Sequence, residues 1–225
     1  MKRRQTLLLS VMLCALWTGR GTGRGTGRAA ADVPAAPAAP ATSDQPLVQS
    51  YDLEAAGKLK EALLALDQTP APRKESYLGW ARRGWLQYRL GQHAESVESY
   101  RKAIALAPQA VEPRLGIMLP QLALHRWTDA EMIAKEVLKV DPASYLGTLR
   151  LAFVYYNQHR YAESAVLYKR LRELYPSDTD VRSGLAWGLL KSGKAQEAAR
   201  EFQELLLISP RLASAREGLQ LAGGH

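Results

Sequence analysis

Four prolines recur at equal intervals along the chain, at Pro108, Pro142, Pro176 and Pro210. A constant period of this length, without insertion or deletion, indicates one supersecondary unit repeated along the chain. Other positions keep the same register. One column is acidic and comprises Glu61, Glu95, Asp129, Glu163 and Glu197. The column after it is small and comprises Ala62, Ser96, Ala130, Ser164 and Ala198. Five units therefore share one frame, and the first lacks the proline.

Each unit has the pattern of two helices. In residues 162–175, apolar side chains fall at helical spacing and charged side chains fill the opposite face. The proline after each second helix removes an amide donor, so the chain must turn there. Between the two helices, the turn column favours a positive φ and comprises Gly57, Gly91, His125, His159 and Gly193. No stretch shows sustained strand alternation. The sequence therefore predicts an all-α chain, an α-solenoid of antiparallel helix pairs.

This pattern resembles the tetratricopeptide repeat (TPR) over roughly residues 43–212. The unit that ends at Pro108 carries the matching residues Trp80, Gly84, Tyr88, Gly91, Tyr100, Ala103 and Pro108. The resemblance implies about five 34-residue units that end near residues 74, 108, 142, 176 and 210, the first of them divergent. Residues 213–222 continue the frame for a partial unit and are predicted to form a C-terminal capping helix.

The amino terminus has the pattern of an export signal. Lys2, Arg3 and Arg4 precede a short apolar run, 7–17, which falls well below the length needed to span a bilayer. Residues 1–31 are predicted to be a signal peptide with a Gly/Arg-rich end, and cleavage falls after residues 29–31 or earlier among the glycines. Residues 32–46 are predicted to be an Ala/Pro-rich linker before a TPR domain at 47–225. The expected location is the periplasm or the exterior of the cell.

The net charge of the chain comes mainly from this predicted signal. The whole chain has 30 basic and 22 acidic residues, a net charge of +8. Residues 1–31 hold six basic residues and no acidic ones, so the exported part has 24 against 22, a net charge of +2. Nucleic-acid binding is therefore not expected. An alternative hypothesis keeps the chain inside the cell, as an adaptor whose Gly/Arg segment contacts nucleic acid.

No arrangement of residues typical of catalysis is present in the predicted exported part. Its histidines are His93, His125, His159 and His225, and the only cysteine, Cys14, lies in the predicted signal. A zinc site needs a third and usually a fourth ligand beyond a pair of turn histidines. No serine lies in a Gly-x-Ser-x-Gly elbow. We therefore expect no enzymatic activity, no cofactor, no bound metal and no disulfide.

The resemblance to TPR proteins places the first helix of each unit on a concave face. The concave positions in one column are Tyr51, Trp85, Leu119, Phe153 and Trp187, and those three residues later are Glu54, Tyr88, Leu122, Tyr156 and Leu190. Residues three apart share a helix face. The predicted partner-binding residues are Tyr51, Trp85, Tyr88, Leu119, Leu122, Phe153, Tyr156 and Trp187. Trp85, Tyr88, Phe153, Tyr156 and Trp187 are expected to be partly exposed on one continuous surface. Ordinary packing between helices is the competing interpretation.

Three functions are consistent with the sequence. The leading hypothesis is a non-enzymatic exported scaffold that binds a protein or peptide, as a member of an envelope complex or outside the cell. The second is an accessory protein of envelope polysaccharide or outer-membrane assembly, which contacts polymer through groove aromatics. The third is the intracellular adaptor with its Gly/Arg segment. No transmembrane span is predicted in the exported part.

Overall fold

The computed structural model describes residues 44–223, so the predicted signal peptide, most of the predicted linker and His225 lie outside the described residues. Within 44–223 the chain forms twelve helices and no strand. They are α1 (Gln45–Ala55), α2 (Leu59–Gln68), α3 (Ala71–Lys74), α4 (Tyr77–Arg89), α5 (His93–Leu106), α6 (Glu112–Ala123), α7 (Trp127–Val140), α8 (Tyr145–Asn157), α9 (Tyr161–Leu174), α10 (Thr179–Lys191), α11 (Ala195–Ile208) and α12 (Ala213–Leu221). The prediction of an all-α chain built from helix pairs is confirmed.

The chain divides into two compact units after Glu75. In the first unit α1 packs against α2, and α1 begins at Gln45, slightly before the predicted domain boundary. In the second unit each helix packs against the next along the chain. This gives four helix pairs, α4/α5, α6/α7, α8/α9 and α10/α11, followed by the capping helix α12. The second unit is therefore an α-solenoid of helix pairs.

The turns inside the pairs have the backbone conformation that the sequence predicts. Positive φ angles occur at Gly57 (76°), Gly91 (76°), His125 (56°), His159 (61°) and Gly193 (87°). A side chain at positive φ is sterically disfavoured, and histidine tolerates that region better than most residues. The predicted role of the turn column is confirmed.

The second helices begin without a side-chain cap, and three of the five begin with an ion pair instead. The acidic column lies in the first turn of these helices, next to the positive end of the helix dipole. In three of them the residue before the helix pairs with that acid: Lys58–Glu61 (3.5 Å), Arg160–Glu163 (2.6 Å) and Lys194–Glu197 (3.6 Å). The acidic column therefore stabilises helix starts.

The small-residue column lies where the two helices of a pair approach each other. Ala62, Ser96, Ala130, Ser164 and Ala198 have no exposed surface. The Ser96 hydroxyl donates to the Gly84 carbonyl (2.7 Å), and the Ser164 hydroxyl donates to the Ala152 carbonyl (2.8 Å). Serine is accepted at this buried position because its hydroxyl finds a backbone acceptor on the partner helix.

Aromatic rings connect consecutive repeats. The ring of Tyr100 occupies the space that a Cβ on Gly116 would need, Tyr168 does the same at Gly184, and Phe202 does the same at Gly218. Each ring belongs to a second helix, and each glycine lies in the first helix of the following repeat. Ring and glycine therefore form a matched pair, since any side chain on the glycine would overlap the ring.

Arginines at a second column reinforce these junctions. The guanidinium groups donate to prolyl carbonyls in three places: Arg114 to Pro108 (2.7 Å), Arg182 to Pro176 (2.6 Å) and Arg216 to Pro210 (2.6 Å). Each of these prolines lies two residues beyond the end of a second helix, and each arginine lies on the first helix that follows, so each bond links the end of one repeat to the start of the next. The recurring prolines and these arginines therefore act together, a role that the sequence analysis did not assign.

Candidate partner-binding face

The first helices of the second unit lie beside one another. Besides its own second helix, α4 contacts α6, α6 contacts α8, and α8 contacts α10. Contacts of this kind place the first helices on the inner side of a helix-pair solenoid. We call the side formed by α4, α6, α8 and α10 the inner face.

Four of the predicted binding residues are accessible. Trp85, Tyr88 and Tyr156 on the inner-face helices are half-buried. Tyr51, on α1 of the first unit, is 50% exposed. The expected exposure is confirmed for Trp85, Tyr88 and Tyr156. That these residues contact a partner stays a prediction.

The remaining four predicted residues are buried, and for Phe153 and Trp187 the expected exposure was wrong. Leu119 is 6% exposed, Leu122 0%, Phe153 4% and Trp187 7%. Their surroundings give the reason. The Trp187 ring packs edge-on against Phe202 on α11 (5.3 Å between centroids), and Phe153 packs edge-on against Trp127 on α7 (6.2 Å). The competing interpretation of helix packing therefore applies to these four residues.

Aromatic rings that the sequence analysis did not select stand at the start of three second helices. His93, Trp127 and Tyr161 occupy the same position in successive repeats and are half-buried. Ring contacts join them to their surroundings: Tyr88–His93 (5.9 Å), His125–Trp127 (5.1 Å) and Tyr156–Tyr161 (5.3 Å). Trp85, Tyr88, His93, Trp127, Tyr156 and Tyr161 form what we call the aromatic edge. The three new members share one position of the repeat, and this periodicity could have identified them from the sequence.

The environment of Trp85 and Tyr156 suits binding. The Trp85 ring lies 5.8 Å from Tyr88, and the Arg89 guanidinium lies 5.4 Å from the Trp85 ring centre. Burial, followed by the neighbouring Tyr161, raises the pKa of Tyr156 to about 12. Its hydroxyl therefore keeps its proton at neutral pH and can donate a hydrogen bond. Apolar ring surface with a few polar groups is typical of binding sites.

Comparison with known proteins shows the family to which these repeats belong. Profiles described as tetratricopeptide repeat match residues 77–110 and residues 121–188. The chain is a tetratricopeptide-repeat protein. The first match spans α4 and α5, and the second runs from the end of α6 to α10. The TPR matches therefore include Trp85, Tyr88 and Tyr156.

Solved structures match the fold of this chain at low sequence identity. TTC0263 of Thermus thermophilus, a thermophilic TPR protein, is 19% identical with a TM-score of 0.60, over 80% of this chain and 98% of that one. YrrB, a TPR protein with an unusual peptide-binding site, is 11% identical with a TM-score of 0.65, over 78% and 90%. MamA from Desulfovibrio magneticus RS-1 is 16% identical with a TM-score of 0.69, over 76% and 97%. No curated protein matches the chain.

The architecture of this TPR protein is that of a protein-interaction scaffold, and proteins or peptides are the ligands of such repeats.

Between residues 44 and 223, no helix is long and apolar enough to cross a membrane. In the same range, no group of three or more His, Cys, Asp and Glu residues is placed to hold a metal ion. A shallow depression of about 310 Å³ is lined by His159, Arg160, Tyr161, Ala162, Glu163 and Ser192.

Proposed function

We propose that this TPR protein is a non-enzymatic, exported scaffold that binds a protein or peptide segment on the inner face of its second unit. The observation that carries the proposal is the pair Trp85 and Tyr88, which is half-buried on a first helix. Aromatic side chains combine a large contact area with few rotatable bonds, which is why binding hot spots favour them. Tyr156 extends the same kind of surface on α8.

The nature of the ligand is proposed from the type of surface. YrrB is described as having an unusual peptide-binding site, and we propose a peptide ligand here as well. The half-buried rings offer apolar contact, while Arg89 beside Trp85 offers a charged group at the rim. An inner face built from several helices suits an extended segment that contacts more than one repeat.

The test compares two tryptophans on the same helix. Trp85→Ala should weaken partner binding at least tenfold, because a half-buried aromatic anchor is lost. The measurement is the amount of partner that co-purifies from the native host with the tagged chain, followed by the affinity of the identified partner.

Trp80→Ala is the matched control. Trp80 is also half-buried on α4, but its ring faces Lys102 on the second helix α5, whose ammonium lies 4.0 Å from the ring centre. We expect this variant to keep its partner. Equal loss in both variants, or no loss in Trp85→Ala, would contradict binding at Trp85.

Export is the part of the proposal that rests on residues 1–31 alone. Amino-terminal sequencing of the protein from its host should find a chain that begins after the predicted signal. Retention of residues 1–28 on a cytosolic protein would instead favour the intracellular adaptor. Membership of an envelope complex would appear as envelope proteins among the co-purified partners.

The aromatic edge supports a second candidate, contact with an envelope polysaccharide. Its six rings are half-buried, and accessible aromatic rings are the contact that this hypothesis requires. Trp127→Ala separates the candidates, because Trp127 belongs to the edge but lies on a second helix. Polymer retention that depends on Trp127 while peptide binding does not would favour the polysaccharide.

A further inference from the structure

Three successive repeats carry an aromatic ring at the first residue of the second helix. His93, Trp127 and Tyr161 occupy this position, and all three belong to the aromatic edge. The repeat before them holds Leu59 at the same position, and the repeat after them holds Ala195. The described part of the chain therefore has one ring in each of three consecutive repeats, which we call the ring row.

The spacing of the ring row follows from the packing of the solenoid. The first helices of neighbouring repeats are in contact, and packed helices lie about 8–10 Å apart. The His93 ring contacts Tyr88 on α4, which ties it to the inner face. The Tyr161 ring contacts Tyr156 on α8 in the same way. Equivalent positions on this side therefore recur about every 8–10 Å.

A segment outside the described residues has the same interval in its sequence. Pro34, Pro37 and Pro40 are separated by pairs of alanines, and residues 33–43 carry no charged side chain. A proline restricts the residue before it to extended conformations, so this sequence favours the polyproline II helix. That helix has three residues per turn and rises about 3.1 Å per residue, which places the prolines on one ridge about 9 Å apart. The prolines therefore match the ring row in number and in spacing.

The linker role predicted for residues 32–46 does not require this period. A stiff spacer needs prolines but no fixed interval between them. Segments with prolines three residues apart are known as ligands of aromatic-lined surfaces, which recognise the preformed helix. The period therefore indicates a binding segment.

One end of the ring row offers a recess and a hydrogen-bond donor. The depression of about 310 Å³ is lined by Tyr161 and His159 and gives a proline ring a place beside the third ring. The nearby Tyr156 hydroxyl keeps its proton at neutral pH and can donate to a carbonyl. A polyproline II segment leaves its carbonyls without internal partners, so it supplies the acceptor.

We propose that residues 34–40 are a built-in ligand that docks on the aromatic edge as a polyproline II helix, with one proline against each ring of the ring row. The docking needs no external partner, and only its effect on the partner rests on the proposed function. Trp85, Tyr88 and Tyr156 belong to the same edge, so the docked segment covers rings that the partner would contact. The contact is therefore autoinhibitory.

The test uses the full chain and two fluorescein-labelled peptides of residues 32–43. One peptide has the natural order, and in the other Ala36 and Pro37 are exchanged, which keeps the composition and breaks the period. The proline variant of the chain carries Pro34→Ala, Pro37→Ala and Pro40→Ala together, so that its own segment no longer competes. Fluorescence anisotropy should show that this variant binds the natural peptide at least tenfold more tightly than the exchanged one. The parent chain should bind the natural peptide at least tenfold more weakly than the proline variant does.

Replacement of a ring in the ring row should weaken this binding. Trp127→Ala, added to the proline variant, should lower the affinity for the natural peptide at least tenfold. Because Trp127 also packs against Phe153, circular dichroism checks the fold, and Tyr161→Ala gives the same comparison if helicity is lost. Trp80→Ala changes a ring outside the aromatic edge and should alter the affinity less than twofold.

Sedimentation velocity identifies the copy that supplies the segment. Association of the parent chain that grows with concentration and is lost in the proline variant would show that a second copy supplies it. A parent chain that is monomeric at every concentration and still binds the peptide weakly would show that the segment docks on its own chain. Both results support the docking.

The outcomes separate the inference from the proposed function. Equal affinity for the two peptides, no binding of either, or equal binding by the parent and the proline variant would overturn the inference, and a partner that depends on Trp85 would then still support the scaffold. A natural peptide that binds while Trp85→Ala keeps its partner would support the docking and contradict the proposed binding at Trp85. The proline variant should also capture at least threefold more partner than the parent from the native host, and no gain would overturn the autoinhibitory role.

Discussion

Replacement of Trp187 by alanine is expected to lower the free energy of unfolding by about 3–5 kcal/mol. The side chain is 7% exposed, and its ring packs edge-on against Phe202, which has no exposed surface. The cavity would lie between α10 and α11, which pack against each other. Urea unfolding followed by circular dichroism measures the change. The buried Trp187 Nε1 has no hydrogen-bond partner in the described range, so the variant also relieves the cost of burying an unpaired donor, which offsets part of the loss.

Trp85→Ala is the control for Trp187→Ala. Trp85 occupies the same register column as Trp187, but it is half-buried and only flanks the core cluster around Tyr100 and Leu151. Its replacement should cost clearly less stability than that of Trp187. An equal loss in the free energy of unfolding at the two positions would mean that Trp85 and Trp187 have the same environment. That result would contradict the deeper burial of Trp187.

Gly184→Ala is expected to destabilise the chain by about 1–3 kcal/mol, although alanine is the better helix former. The added methyl would overlap the ring of Tyr168, which is 1% exposed and cannot swing into solvent. By helix propensity alone, the same change would stabilise by about 1 kcal/mol. The sign of the effect on the melting temperature therefore reports the contact between ring and glycine.

Gly188→Ala is the control within the same helix. A methyl at Gly188 would lie 3.4 Å from the nearest atoms of Ala165, an ordinary contact. This variant should be neutral or slightly more stable than the parent. If both glycine variants gained stability, the ring of Tyr168 could not be packed on Gly184 as described.

Much of the fold follows from the periodic pattern. The prolines, the acidic column and the turn column predicted two helices in each unit, and the structure has them with turns of positive φ at His125 and His159. These features depend on interactions within a few residues along the chain, such as a missing amide donor at proline. Local signals of this kind can be identified in a single sequence.

The candidate site was only partly predictable. Column and spacing placed Trp85, Tyr88 and Tyr156 on the first helices, where they are accessible. The same columns also selected Phe153 and Trp187, which are buried against the second helices. A first helix contacts its own second helix, the second helix that precedes it and the neighbouring first helices, so residues three apart on one face can have opposite environments. Exposure therefore depends on the side chains that those neighbours contribute.

The sequence by itself determined that this chain is a set of helix pairs with a constant period, because repeat length, turns and helix starts are encoded locally. Only the tertiary structure decided which side chains fill the junctions. Tyr168 on Gly184 and the buried guanidinium of Arg150 are contacts between helices of different repeats. Their energies depend on the fit of surfaces that are far apart along the chain, and a periodic pattern contains no measure of that fit.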